Sequence, residues 1–201
     1  MSNWLYAQIV PTERWRSAMT IPRELVLSEI NNDFILKSVP VKELESLRET
    51  EIKPTITTVS GNLLINMEGV PVMRSEMIFD FQANESTHEF GIQLSNEKGE
   101  KVRIGYSRDE SKIFVDRTEA GVSSFLDEFA ALHTVSYVAG ESLHFHVFVD
   151  EASVEVFVDG GKAVLTDIVF PGLPYNKIEL FSARGSVEVS FARIWGLASI
   201  W

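Results

Sequence analysis

The stretch Asp150-Glu151-Ala152-Ser153-Val154-Glu155-Val156-Phe157-Val158-Asp159-Gly160-Gly161 decides how the rest of this chain is read. Val154, Val156 and Val158 alternate with Glu155, Phe157 and Asp159, which is the two-residue period of a strand with one wholly apolar face. β-branched residues suit that pleated surface. Asp159-Gly160-Gly161 then supplies residues that tolerate positive φ, so the chain is expected to turn back on itself there. The predicted strand leaves a mixed face of Glu155, Phe157 and Asp159 directed to solvent.

Working outward, the same alternation recurs in short runs punctuated by turn chemistry. The predicted strands are 24–30, 34–41, 72–82, 89–94, 101–106, 112–116, 142–150, 153–159, 163–170, 177–183 and 186–195. Asn31-Asn32, Asn96-Glu97-Lys98-Gly99 and Arg184-Gly185 mark turns between them. Eleven runs joined by hairpin-like turns predict an all-β fold, a two-sheet antiparallel β-sandwich. Helix is scarce: 41–48 has the composition for about two turns, and 124–132 for another, with Leu126, Phe129 and Ala130 at helical spacing.

The balance of 18 Lys and Arg against 29 Asp and Glu gives a formal net charge of −11. That disfavours attraction to nucleic acid and to anionic membranes, which require clustered cations. Neutral ligands such as sugars stay open. No cysteine is present, so disulfides and thiolate metal sites are excluded. No stretch approaches the roughly 18 apolar residues of a membrane-spanning helix. The segment from Asn3 to Thr20 differs in character, with Trp4, Tyr6 and Trp15 crowded beside Arg14 and Arg16.

That segment carries the resemblance. Asn3-Trp4-Leu5-Tyr6-Ala7, Trp15-Arg16-Ser17-Ala18-Met19 and Ile21-Pro22-Arg23-Glu24-Leu25 resemble the end of the catalytic propeller in glycoside hydrolase family 32 levanases, inulinases and invertases, where it leads into a C-terminal sandwich. Asp116-Arg117-Thr118 with Gly121, and the 150–157 stretch, are similar to two recurring stretches of that sandwich. The second departs from the family's D-R-S-S-V-E-V-F by carrying Glu151 and Ala152. The resemblance implies a lectin-like jelly roll over 23–201, preceded by a remnant of the last propeller segment over 1–22.

The resemblance also implies a division of labour. Family 32 enzymes use a carboxylate nucleophile and a carboxylic acid/base about 5 Å apart, as retaining glycosidases do. Both come from the propeller, in motifs of N-D-P-N, R-D-P and Glu-Cys type. This chain contains no Asp-Pro dipeptide and no cysteine, so no catalytic residue and no cofactor is assigned. Trp4 matches the family's tryptophan bordering the fructose pocket, a substrate contact only when the propeller is present. The expected role is a non-catalytic module supporting the propeller of a parent that hydrolyses terminal β-D-fructofuranosides in levan, inulin or sucrose. The alternative is a lectin-like module binding fructan or another carbohydrate. The sequence leaves localisation open, with a secreted parent favoured over a cytoplasmic one, and any export signal of the parent would lie upstream.

Three further features carry expectations of their own chemistry, and the arm that carries the resemblance adds a fourth. Arg108-Asp109-Glu110 reads as a hairpin turn rather than an R-D-P element. Glu155 and Asp159 share a strand face, but Phe157 stands where a third carboxylate would be wanted, so a solvated face is expected. His144 and His146 form an H-x-H able to chelate a metal if a third ligand approached; nothing in the sequence places His88 or His133 nearby, and no metal site is expected. The arm around Trp4, Leu5, Tyr6 and Trp15 is expected to fold back on the sandwich or join a second copy.

Overall fold

The computed structural model describes residues 5–13, 15–16, 18–30, 32–84 and 86–199. Trp4, the one assigned substrate contact, lies outside them, as do Arg14 and Trp201. Among the described residues thirteen strands follow in order: β1 Arg23–Ile30, β2 Asp33–Pro40, β3 Arg48–Ile52, β4 Thr58–Ile65, β5 Ser75–Ala83, β6 Glu89–Ser95, β7 Lys101–Ser107, β8 Lys112–Glu119, β9 Leu132–Ser136, β10 Ser142–Asp150, β11 Ser153–Val158, β12 Ala163–Ile168 and β13 Lys177–Leu197. Every pairing between them is antiparallel. The two expected helical segments are short 3₁₀ turns, Lys42–Leu47 and Asp127–Phe129.

Strand β13 organises the sandwich by serving both sheets. Its first part, 177–183, lies between β4 and β6, and β7, β8 and β9 continue that sheet outward. Its second part pairs with β5 and β3, and β10, β11 and β12 extend the other sheet. The passage between sheets occurs at Arg184 and Gly185, both at positive φ. A Cβ at Gly185 would meet the Ser86 carbonyl oxygen at 2.0 Å, so only glycine fits this corner. The two predicted strands 177–183 and 186–195 are thus one bent strand.

Between the sheets the inward residues form one core. Met77, Phe79 and Phe81 of β5 meet Phe145 and Val147 of β10, Val154, Val156 and Val158 of β11, Phe90 and Ile92 of β6 and Ile104 of β7. Phe81 is in ring contact with Phe79, Phe90 and Phe145. The valine face of the 150–161 stretch is therefore core, as its period dictates. Three strands, β3, β4 and β9, fall where no run was expected, because their alternation is diluted by charged and polar residues.

Strands β1 and β2 stand apart as a two-stranded hairpin with, among the described residues, no ladder to the sandwich. The register pairs Leu27 with Leu36 and Glu29 with Phe34, so Leu25, Leu27, Phe34 and Leu36 share one face. All four are exposed, between 61% and 70%. The opposite face, carrying Val26, Ile30, Ile35 and Val39, is half-buried.

Candidate functional site

The polypeptide before β3 is held against the sandwich at three places, and their chemistry marks the region as built for attachment. The first is aromatic. Tyr6 and Val10 enter a small apolar cluster of Phe125, Leu126, Phe129, Ile168 and Phe170, separate from the main core. Tyr6 meets Phe129 edge-on, with centroids 5.3 Å apart at 89°, the arrangement that aromatic quadrupoles favour. Above Phe129, 4.0 Å from its centroid, lies the guanidinium of Arg117.

Arg117 is the arginine of the Asp-Arg-Thr stretch, and it is buried. Its Nη1 donates to the Ile168 carbonyl at 3.0 Å. Its Nε is 3.5 Å from Asp167 Oδ1 but closes no hydrogen bond, and Asp167 Oδ2 has no partner among the described residues. Asp167 Oδ1 is also 2.6 Å from His133 Nδ1. Burial pushes the Asp167 carboxyl above its ordinary range, and the nearby His133 and Arg117 offset this only in part. The cluster ties β8 and β9 of one sheet to β12 of the other.

The second attachment corrects the sequence reading of Glu155. The expected solvated face is covered, and Glu155 is 2% exposed. Its Oε1 accepts from the Ile21 backbone N–H at 2.8 Å, and its Oε2 from Arg23 Nη2. Arg23 also donates to Thr166 Oγ1 at 2.7 Å and lies 5.0 Å over the Phe157 ring. A charge here is satisfied by a cation and a backbone donor, which is what burial demands. Alternation in the sequence finds the face but not the segment that covers it.

The third attachment is a close backbone approach. The Ser38 N–H of β2 donates to the Gly161 carbonyl at 3.0 Å. A Cβ on Gly161, at φ +82°, would lie 2.1 Å from the Ser38 carbonyl oxygen. Gly161 is therefore required twice, by the turn after β11 and by the hairpin against it.

The remaining candidates are structural partners. His146 Nε2 lies 2.6 Å from Glu76 Oε1, and Glu76 also accepts from Arg48 Nε at 2.7 Å and Nη2 at 2.5 Å. Burial alone would raise the Glu76 carboxyl, but the hydrogen bonds from Arg48 and His146 outweigh it and hold it below the usual carboxylate range. The bond to Glu76 raises Arg48 in turn, and its guanidinium lies 4.1 Å over Trp195. His144 Nδ1 pairs with Asp80 Oδ1 at 2.5 Å, so the H-x-H points at two carboxylates on β5. Among the described residues no three His, Cys, Asp or Glu groups are placed to hold a metal ion.

Arg108-Asp109-Glu110 is the turn between β7 and β8, as expected. Asp109 accepts from Arg184 Nη2 at 2.7 Å and lies 2.8 Å from His88 Nδ1. Asp159 accepts from the Tyr137 hydroxyl and the His144 N–H, so it too is engaged and not part of a solvated face.

These features define a β-sandwich module with an N-terminal extension fastened to one side of it. Residues 43–196 match the family model described as glycosyl hydrolases family 32 C terminal. The chain belongs to that family, as its C-terminal sandwich. It is 37% identical over 211 residues to the levanase of Bacillus subtilis (strain 168), covering all of this chain and 30% of the relative. A levanase of Bacillus sp. (strain L7) is 32% identical, with 22% of its length covered. The crystal structure of exo-inulinase from Aspergillus awamori superposes with a TM-score of 0.88 at 29% identity, covering 100% of this chain and 40% of that one. The β-fructofuranosidase of Schwanniomyces occidentalis, at 19% identity and TM-score 0.83, shares the fold. The chain spans less than half the length of each of these relatives.

Proposed function

We propose that this chain is a non-catalytic supporting module, working beside the propeller of a parent β-fructosidase that hydrolyses terminal β-D-fructofuranosides in levan, inulin or sucrose. The observation that carries this reading is the hairpin face of Leu25, Leu27, Phe34 and Leu36. Four large apolar side chains, each more than 60% exposed on one face, form a patch that a folded partner would cover. It sits in the segment before residue 43, where the matched sandwich begins.

The three attachments support the same reading. Glu155, Arg117 and Gly161 belong to the sandwich, and each grips a residue between Tyr6 and Ser38. A seam so fixed holds whatever precedes it in one orientation. On this reading residues 1–22 are the end of the propeller's last segment, and Trp4 is a sugar contact completed by the propeller. The nucleophile and acid/base of the parent lie in that propeller, in line with the lack of Asp-Pro and cysteine here.

Association in trans tests the proposal. The chain is mixed with the catalytic portion of the Bacillus subtilis levanase, and complex formation is followed by analytical ultracentrifugation. A one-to-one complex with the chain, lost in the L27S/F34S double variant, is the expected result. Two non-interacting species with the unaltered chain, or a complex indifferent to L27S/F34S, would overturn it.

A further inference from the structure

We infer that the outer face of the β3–β13 sheet carries a carbohydrate subsite in the cleft between residues 53–56 and 189–193, with Phe191 as its stacking platform. The choice of a β-fructan as the sugar rests on the parent activity proposed above; the existence of the site does not. The hairpin and residues 21–23 cover the β11 side of this face, whereas the surface around Phe191 of β13 is open. There a cleft of about 330 Å³ runs between the connection after β3 and the second half of β13. That volume is at the lower end of small-ligand sites.

The local backbone presents an aromatic ring where the core pattern would not. Val189 pairs with Phe81 and Phe191 with Asp80, so Ser190 is an extra residue and β13 is bulged. A bulge re-aims the side chains beside it. Phe191 lines the cleft at 38% exposure, an apolar area that water would rather not cover. Its ring is backed by the Arg193 guanidinium, 4.8 Å from the centroid.

The polar groups around the ring are already ordered by one another. Glu51 Oε1 is 3.3 Å from Arg193 Nε, and Glu51 Oε2 is 3.0 Å from Lys53 Nζ. Held rotamers lose less entropy when a ligand binds. The trio presents guanidinium and ammonium donors beside carboxylate lone pairs, and vicinal hydroxyls both accept and donate. The C–H face of a sugar ring suits Phe191. A phosphate fits less well, because Glu51 offsets one of the two cations and the chain carries a net charge of −11.

The test is an amide NMR titration of the full chain with a short levan oligosaccharide, alongside maltotriose and inorganic phosphate. Saturable shifts at residues 53–56 and 189–193, weakened about tenfold in F191A, are the expected result. F191A should leave association with the levanase catalytic portion unchanged, which separates this site from the supporting role. An equal response to maltotriose upholds the sugar site while removing the fructan assignment. No shifts at tens of millimolar sugar, shifts indifferent to F191A, or a response to phosphate alone overturns the proposal.

Discussion

At the residue scale, the informative groups are the buried charges. Arg117 and Asp167 are both almost wholly buried, yet neither is fully hydrogen-bonded. Removing Arg117 leaves the buried Asp167 with only the half-exposed His133, and breaking a buried pair typically costs about 3–5 kcal/mol. We expect R117M to lose roughly 3 kcal/mol in urea unfolding, and R117M/D167N to regain part of it. Strict additivity of the two substitutions would contradict a coupled pair. Glu76 gives a pH signature. Its folded-state carboxyl is depressed, so its stabilisation is present above the unfolded value near about 4.3 and is lost as pH falls through the lower folded value. The E76Q variant should be less stable at neutral pH and show a shallower acid limb in unfolding midpoints; an unchanged acid limb would count against the role given to Arg48 and His146. The sequence does not disclose these partnerships. Alternation assigns Glu155 and Glu76 to the outer face of the sheet, but Arg23 and Arg48 reach them from far along the chain.

At the element scale, the legible strands were those whose faces differ most. The 153–158 run has three valines on one side and was readable at once. Strand β9, Leu-His-Thr-Val-Ser, and strand β4, Thr-Val-Ser-Gly-Asn-Leu-Leu-Ile, lie toward the sheet edge and need not alternate cleanly. The bend in β13 reads as a turn because Arg184-Gly185 has turn chemistry, and only the neighbouring sheets make it a corner within one strand. The β1–β2 hairpin was readable as strands, but its isolation from both sheets was not. Since Leu27 and Phe34 are mostly exposed among the described residues, L27S/F34S should change the unfolding free energy by no more than about 0.5 kcal/mol. Gly161→Ala should do the opposite, because the new methyl would overlap the Ser38 carbonyl at a positive φ. Faster amide exchange through 23–40 would report that loss, and unchanged exchange would deny the attachment.

At the scale of the whole molecule, the architecture is a two-sheet core with one side occupied by a fastened extension. The Tyr6 anchor answers one expectation about the arm, which folds back on the sandwich through Tyr6 and Val10. Ile9, Trp15 and Met19 remain exposed on it. Family membership is legible in short motifs, and the structure brings those motifs to one seam: Arg117 of Asp-Arg-Thr supports the ring on which Tyr6 rests, and Glu155 of the Val-Glu-Val stretch receives Ile21 and Arg23. On the proposed reading these contacts serve attachment rather than catalysis. The most direct test of that account is release of free fructose from levan, inulin and sucrose by the purified 201-residue chain. The account predicts release no greater than the enzyme-free blank. Sustained release that a single carboxylate substitution in this chain abolishes would contradict it.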